Sequence, residues 1–272
     1  MPRNKTAAAL KTWLAVLLVI LALPVLSMIA LSFNASKYGT LPFRFSLQWY
    51  SVMTQDSSLL GALSTSVTLA TEVTIACVIV GTLLTFGLRR APIAITGPVN
   101  GLLLALLTVP ALILSAGLVS VFGWLGLGQS TLALELASIV TSMPFVVLIE
   151  SGRLEGLSSD YAEAARSLGA GPLRTFLLVT VPLMAPSIVA GGMLSFVICF
   201  NNFAIQLFLS PIGISTLPVE IYSMVRLGVT PDVNALGSII VASTAALIVV
   251  LTWLTGNAAR LFTSTSTSTR ER

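Results

Sequence analysis

The sequence predicts an all-α, polytopic membrane protein with six transmembrane helices. Hydrophobic residues make up 56% of the 272 residues and charged residues only 9%, whereas soluble domains carry about 25% charged residues. The apolar residues also fall into six long runs, and a helix that crosses a bilayer needs roughly 20 such residues. The predicted spans are Trp13–Phe33, Leu60–Leu88, Val99–Trp124, Leu132–Ile149, Leu183–Leu209 and Leu236–Thr255.

The first apolar run is too long for a cleaved signal peptide. It follows Arg3, Lys5 and Lys11, as a signal sequence would, but a signal peptide has an apolar core of only about 7–15 residues. We therefore predict an N-terminus at 1–12, a six-helix membrane domain at 13–257 and a tail at 258–272. The Ser/Thr repeat of this tail has nothing to bury and predicts disorder.

Lysine and arginine residues fall mainly on one side of the predicted spans. Eleven of the 14 lie on the side of the N-terminus, which the positive-inside rule assigns to the cytoplasm. They are Arg3, Lys5, Lys11, Arg89, Arg90, Arg153, Arg166, Arg174, Arg260, Arg270 and Arg272. Both termini are therefore predicted to be cytoplasmic. This sorting accounts for the net charge of +4, so we expect the lipid bilayer and no nucleic acid as a partner.

The residue types that commonly carry catalysis or hold metals are scarce. The chain has no His, and its two cysteines, Cys77 and Cys199, lie in apolar runs. His is the commonest metal ligand and a frequent general base. We therefore predict no catalytic residue, no metal site and no enzyme activity. The chain also lacks the G-x-x-x-x-G-K-[ST] phosphate loop, so ATP, if it drives the function, is held by another chain.

A polar segment at 151–182 separates the fourth and fifth predicted spans. Asp160 and Glu163 have the spacing of a capping box, and Gly169 follows where a left-handed C-cap is favoured. Pro172 suits the first position of a second helix, and Pro182 is expected to end the element. The pattern predicts two short helices joined by a glycine hinge. Apolar residues line one face of the first helix, namely Tyr161, Ala164, Ala165 and Leu168.

This segment resembles the EAA loop of permease subunits of bacterial binding-protein-dependent ABC importers. The family pattern is Glu-Ala-Ala, three residues, Gly, nine residues and Ile-x-Leu-Pro. The chain has Glu163-Ala164-Ala165, then Gly169, then Val179-Thr180-Val181-Pro182. Val179 and Val181 depart from the pattern but keep apolar side chains of similar size. The stretch LPVEIYSMVRLGVTPDVNAL before the last span also resembles spermidine/putrescine-type permeases.

The resemblance implies the type I ABC importer fold and a division of labour among subunits. In this family the EAA loop docks onto a separate ATPase dimer, which holds the ATP and Mg. A second permease subunit, here expected to form a heterodimer, and an extracytoplasmic substrate-binding protein complete the importer in the bacterial inner membrane. The residues expected to couple to the ATPase are Asp160, Glu163, Ala164, Ala165, Gly169 and Pro182. The expected solute is a polyamine or another small amine. The alternative is a secondary transporter or channel that works without an ATPase.

Four polar residues within the predicted spans are candidates for the solute pathway: Glu72, Asn201, Asn202 and Gln206. A carboxylate within a span is a functional candidate because it is costly there. At 1.5 Å per residue, Glu72 lies about 25 Å from Arg89 and Asn201 about 24 Å from Ala185. We therefore expect Glu72 to face the two asparagines at similar depth. The alternative for the amides is helix–helix hydrogen bonding. The resemblance adds that acidic residues often stand near these amide positions in polyamine-type permeases.

Two further carboxylates, Glu135 and Glu150, stand at the two ends of the fourth predicted span. We predict that both are interfacial, because a charge near the end of a span can reach water. Pro110 and Pro144 interrupt the third and fourth predicted spans and are expected to kink them.

Overall fold

The computed structural model describes residues 3–36, 42–227 and 232–246. The regular elements in these ranges are helices, which confirms the all-α class. They are α1 Arg3–Ser32, α2 Gln48–Gln55, α3 Ser57–Arg90, α4 Ile93–Thr108, α5 Ala111–Trp124, α6 Thr131–Glu155, α7 Asp160–Ser167, α8 Pro172–Thr175, a π turn Phe176–Thr180, α9 Val181–Phe200, α10 Phe203–Leu209, α11 Leu217–Leu227 and α12 Asp232–Ala246.

Four helical stretches in the described residues are long and apolar enough to cross a bilayer: Leu10–Ser32, Ser57–Arg90, Thr131–Glu155 and Pro172–Phe200. The pair α4–α5 adds a fifth if it forms one broken span. The predicted sixth span begins within α12, and its remainder, like the predicted tail at 258–272, lies outside the described residues. These findings are consistent with six spans.

The chain divides into two compact units. The first combines Met1–Ser57 with Ile221–Arg272. In it, the segment after α1 is fixed by Asn34, which forms an isolated antiparallel bridge with Phe45 and accepts a 2.7 Å hydrogen bond from the Trp49 indole at its carbonyl. In α12, Gly237 lies so close to α1 that a Cβ there would meet the Met28 sulfur at 2.6 Å.

The second unit, Ser58–Glu220, contains the main core. Its buried residues come from α3, α5, α6, α9 and α10, so these helices surround one apolar centre. They are Leu69, Ala70, Val73, Cys77, Phe122, Ala133, Leu134, Ala137, Val146, Cys199, Ile205 and Leu209. Both cysteines are buried free thiols.

Small residues bring α3 and α9 close to α6. A Cβ at Gly81 of α3 would meet Val146 Cγ1 at 2.9 Å, and a Cβ at Gly191 of α9 would meet the same atom at 3.3 Å. The Val146 side chain therefore lies where a side chain at Gly81 or Gly191 would have to be placed. The three helices pack with their backbones near one another, as small residues allow in membrane bundles.

The third predicted span is broken rather than kinked. α4 and α5 meet at 116°, with Val109 and Pro110 between them in extended conformations. Proline cannot donate a backbone hydrogen bond, and it disfavours helical geometry in the residue before it. Pro144, by contrast, lies buried within α6 without ending that helix.

The fifth predicted span also differs from the expectation at both ends. The helix ends at Phe200, and Asn201 and Asn202 separate it from α10. At the other end, Pro182 does not end the preceding element, since Pro172–Phe200 is one helical stretch. The π turn just before Pro182 explains this continuity: Val181 N–H bonds to the Phe176 carbonyl, five residues back, so the wider turn accommodates the proline ring.

Candidate functional site

The segment between α6 and α9 begins with α7, which starts one residue earlier than a capping box requires. Asp160 is the first helical residue, and Ser159 at the N-cap makes no side-chain cap hydrogen bond. The Ser158 hydroxyl instead accepts a 3.2 Å bond from the Asp160 N–H. The predicted capping box is therefore wrong. Asp160 and Glu163 still lie in the first helical turn, where negative charge is favourable.

Gly169 ends α7 in the left-handed conformation that the sequence predicts, with φ of +86°. Its N–H bonds to the Arg166 carbonyl at 2.9 Å, and the Ala170 N–H bonds to the Ala165 carbonyl at 3.0 Å. This pair of bonds is the Schellman motif. Gly171 then precedes α8, in which Pro172 occupies the first helical position as predicted. The first short helix and the glycine hinge are confirmed, whereas the second helix, α8, continues through the π turn into α9.

Apolar side chains of the two short helices are exposed in the single chain. Leu168 is 89% exposed, Leu173 is 69% exposed and Tyr161 is 56% exposed. Ala164 is exposed and Ala165 is half-buried beside them. An exposed apolar patch on an otherwise polar segment is typical of an interaction surface. The expected coupling residues Asp160, Glu163, Gly169 and Pro182 are also exposed.

The pathway candidates are not joined as expected. Glu72 on α3 and Asn201 at the end of α9 are both exposed, and the Asn201 side chain donates to the Val197 carbonyl of its own helix at 2.8 Å. No hydrogen bond between Glu72 and either asparagine occurs among the described residues. Their meeting in a pathway therefore stays a prediction.

Asn202 and Gln206 stabilise the break between α9 and α10. The Asn202 carboxamide oxygen caps α10 by accepting from the Ile205 N–H at 3.3 Å, and its nitrogen donates to Thr141 on α6 at 3.3 Å. Gln206 is fully buried and donates to the Cys199 carbonyl at 2.7 Å. In this structure the Asn202 and Gln206 side chains therefore form hydrogen bonds that hold the helices together, which is the alternative role given above for the amides.

Glu150 is buried, so the prediction that it is interfacial is wrong. Its exposed fraction is 0%, and its Oε1 accepts a 2.9 Å hydrogen bond from the Thr82 hydroxyl of α3. Its Oε2 is buried without a partner in the described part of the chain. The reason is packing: Gly81 and Gly191 draw α3 and α9 against α6 one turn away, at Val146. Gly81, directly before Thr82, is the local trace of this packing in the sequence. Glu135 is half-buried.

Two further short helices, α2 and α11, lie before α3 and before α12 in the chain. The start of α11 is tied to α3, because Glu220 accepts from Ser58 at 3.0 Å and the Leu217 N–H donates to Ser66 at 2.7 Å. Tyr222 and Val225 remain exposed.

Comparison with known proteins supports the resemblance carried by the Glu163–Pro182 pattern. The family described as the binding-protein-dependent transport system inner membrane component matches residues 78–263. The spermidine/putrescine transport system permease protein PotC of Haemophilus influenzae is 32% identical over 230 residues, which cover 85% of this chain and 90% of that protein. The putrescine transport system permease protein PotI of Escherichia coli K12 is 32% identical over 235 residues, 81% of each chain.

Solved structures show the same fold at lower identity. A bacterial ABC transporter that imports the acidic polysaccharide alginate contains a chain with a TM-score of 0.72 and 16% identity, covering 93% of this chain and 96% of that chain. An amino acid ABC transporter gives a TM-score of 0.59 at 15% identity, covering 77% and 98%. The chain therefore belongs to the family of inner-membrane components of binding-protein-dependent transport systems, and it is a multi-pass permease subunit of an ATP-driven importer that works with an ATPase and a binding protein.

Proposed function

We propose that this permease moves a polyamine or another small amine from an external binding protein into the cytoplasm by alternating access. We infer the class of solute from the 32% identity to PotC and to PotI over more than four fifths of the chain. The same comparisons favour an importer over a channel or secondary transporter that works without an ATPase.

The solute is tested by uptake into proteoliposomes that contain the assembled importer. We expect ATP-dependent uptake of labelled putrescine that unlabelled spermidine inhibits. The molybdenum transport system permease ModB of Mycobacterium bovis is also 31% identical over 217 residues, so molybdate is the informative competitor. Inhibition by molybdate with no effect of either polyamine would contradict the amine assignment.

We further propose that residues 160–182 form the surface that receives the ATPase. The exposed Leu168, Leu173 and Tyr161 support this, since they leave an apolar patch beside the small side chains Ala164 and Ala165. ATP and Mg would be bound by the ATPase, and this chain would bind no cofactor. A helical element that both subunits contact is suited to pass conformational change between them.

Co-purification from the native host tests this surface and the composition of the complex. We expect the ATPase to accompany the tagged wild-type chain and to be lost with Glu163→Arg or Gly169→Pro. Glu155→Arg is the control, because it reverses an exposed charge at the end of α6, outside the 160–182 segment. Retention of the ATPase by both loop variants would contradict the proposal. Mass spectrometry of the same sample shows whether a different permease chain is present, as we propose for a heterodimer.

Both termini and the 160–182 segment are proposed to be cytoplasmic. The observation that supports this is the position of Arg89, Arg90 and Arg153 at the ends of α3 and α6, together with the positive-inside rule. Since Cys77 and Cys199 are buried, a membrane-impermeant maleimide should label the native cysteines only weakly. We expect a Ser167→Cys variant to react in inside-out vesicles and not in intact cells; the reverse pattern would contradict this orientation.

Glu72, Asn201 and Asn202 remain our candidates for the solute pathway. Glu72 and Asn201 are exposed in the single chain and are therefore free to meet a solute or the second permease. Gln206 is buried and bonded to the backbone, which assigns it a bracing role in this conformation. We expect Glu72→Gln to lower putrescine uptake while the complex still assembles. Unchanged uptake rate and solute preference would remove Glu72 from the pathway.

A further inference from the structure

A cavity of the permease lies between the end of α3 and the 158–183 segment. Its volume is about 250 Å³, which is below the roughly 300–1,000 Å³ of pockets that take drug-sized ligands. The cavity therefore fits a group the size of a lipid headgroup rather than a large solute. We call it the arginine cavity, because Arg89 and Arg90 of α3 and Arg166 of α7 all line it.

The lining of the arginine cavity carries more positive than negative charge. Glu163 is the one carboxylate among the lining residues. None of the three guanidinium groups forms an ion pair or a hydrogen bond with another group in the described part of the chain. Each guanidinium offers five N–H donors, and its planar fork matches the oxygens of a phosphate group. Three such groups around one small cavity make it attractive to an anion.

A buried hydroxyl provides an independent observation. Thr175 of α8 lines the same cavity and is only 3% exposed. Its Oγ1 has no hydrogen-bond partner among the described residues, although buried hydroxyls nearly always have one. A hydroxyl can donate to an anionic oxygen, so an anion at this place would satisfy it.

Part of the cavity lining is apolar. Phe86 of α3 and Phe176 of the π turn meet edge to face, with ring centroids 4.8 Å apart, and Val179 and Leu183 extend the same surface. A lining that combines arginines with apolar side chains suits an amphiphile with an anionic head. Basic pockets at the ends of membrane helices are typical sites for phosphate-bearing lipid headgroups.

We propose that the arginine cavity binds the phosphate group of an anionic phospholipid. Arg89, Arg90 and Arg166 supply the positive charge, Thr175 donates a hydrogen bond and the Phe86–Phe176 pair contacts the glycerol region. The bound headgroup then joins the end of α3 to the segment that we propose receives the ATPase. The binding step itself requires neither the ATPase nor the transported solute.

Native mass spectrometry of the full chain in detergent tests this proposal with phosphatidylglycerol as the probe and phosphatidylcholine as the zwitterionic comparison. We expect one phosphatidylglycerol to remain bound where phosphatidylcholine is lost. Arg90→Gln combined with Arg166→Gln should weaken binding by about ten-fold or more, since each removes a charge-assisted hydrogen bond. Arg174→Gln is the matched control, because Arg174 neighbours Thr175 in α8 but does not line the cavity.

Thr175→Val keeps the shape of the side chain and removes the hydroxyl. It should also weaken phosphatidylglycerol binding. If circular dichroism shows that the arginine variant is not folded, Thr175→Val is the variant that tests the site. Competition by inorganic phosphate would support a phosphate-selective site. Binding of inorganic phosphate without phosphatidylglycerol would overturn the lipid assignment. Equal phosphatidylglycerol binding by wild type, the arginine variant and Thr175→Val would overturn the site.

Discussion

Thr82 on α3 donates a 2.9 Å hydrogen bond to the Glu150 carboxylate on α6, and both side chains are buried. Glu150 has no other partner among the described residues, since its Oε2 is unbonded there. The free energy of unfolding therefore depends on the one hydrogen bond that the Thr82 hydroxyl donates to the buried Glu150 carboxylate. A buried acceptor that loses its donor costs about 1–3 kcal/mol, and more when it is charged.

We expect Thr82→Val to destabilise the permease by at least this amount, measured as thermal unfolding in detergent. The double variant Thr82→Val/Glu150→Met should recover most of the loss, because replacing both partners by apolar groups is often nearly neutral. Thr71→Val is the control, since the Thr71 hydroxyl is exposed and bonds only to the Val67 carbonyl of its own helix. A double variant no more stable than Thr82→Val would contradict this account.

The contact between Gly81 and Val146 gives a prediction about packing. A Cβ at Gly81 would lie 2.9 Å from Val146 Cγ1, and overpacking of this kind costs about 1–3 kcal/mol. We expect Gly81→Ala to lower the unfolding temperature in detergent. Adding Val146→Ala removes the clashing methyl group and should restore part of the loss.

Gly87→Ala is the matched control for this packing prediction. Gly87 lies in the same helix, and a Cβ there would meet no atom within 4 Å. If Gly81→Ala and Gly87→Ala unfolded at the same temperature, close packing between α3 and α6 would not be the cause.

Gly169 gives a prediction about the conformation of the ATPase-facing segment. Its φ of +86° costs an L-amino acid about 1–2 kcal/mol. We expect Gly169→Ala to weaken the Schellman motif and to reduce the amount of ATPase that co-purifies. Gly171→Ala, at an ordinary φ of −67° with no neighbour within 4 Å, should behave as wild type. Equal ATPase recovery from both variants would show that the left-handed turn is not needed for docking.

Variants of Asn202 distinguish a structural role of this residue from a role in the solute pathway. Because its side chain caps α10, Asn202→Ala should cost about 1 kcal/mol of stability, whereas Asn202→Asp should keep the cap. Asn201→Ala should leave stability nearly unchanged, since the Asn201 side chain bonds only to the Val197 carbonyl of α9. Thermal unfolding of the three variants tests the cap. Putrescine uptake by the stable Asn202→Asp variant then tests the pathway, and unchanged uptake with unchanged preference would assign Asn202 to the cap alone.

The local features of this chain were predictable where a short stretch of sequence decides them. Gly169 and Pro172 have backbone preferences that hold in almost any context, so the hinge between α7 and α8 followed from the sequence. The helical spacing of Leu217, Ile221 and Val225 is a local signal of the same kind for α11.

Features that depend on contacts between helices were not predictable in this way. Pro110 marks an interruption, but the 116° angle between α4 and α5 is set by what the two helices pack against. The burial of Glu150 depends on glycines of two other helices, and the bonds from Asn202 to Thr141 and from Gln206 to Cys199 require the break after Phe200. Apolar periodicity continues through Asn201 and Asn202, so it does not show that the helix ends there.

The continuous helical stretch from Pro172 to Phe200 has a mechanical consequence. Its 29 residues form a rod about 43 Å long at 1.5 Å per residue. One end carries the surface proposed for the ATPase, and the other ends at Asn201 beside the pathway candidates. A swing of roughly 10° about the middle of this rod would displace each end by about 4 Å, in opposite directions. A displacement of the end at one face of the membrane would thus appear at the far end in the opposite direction.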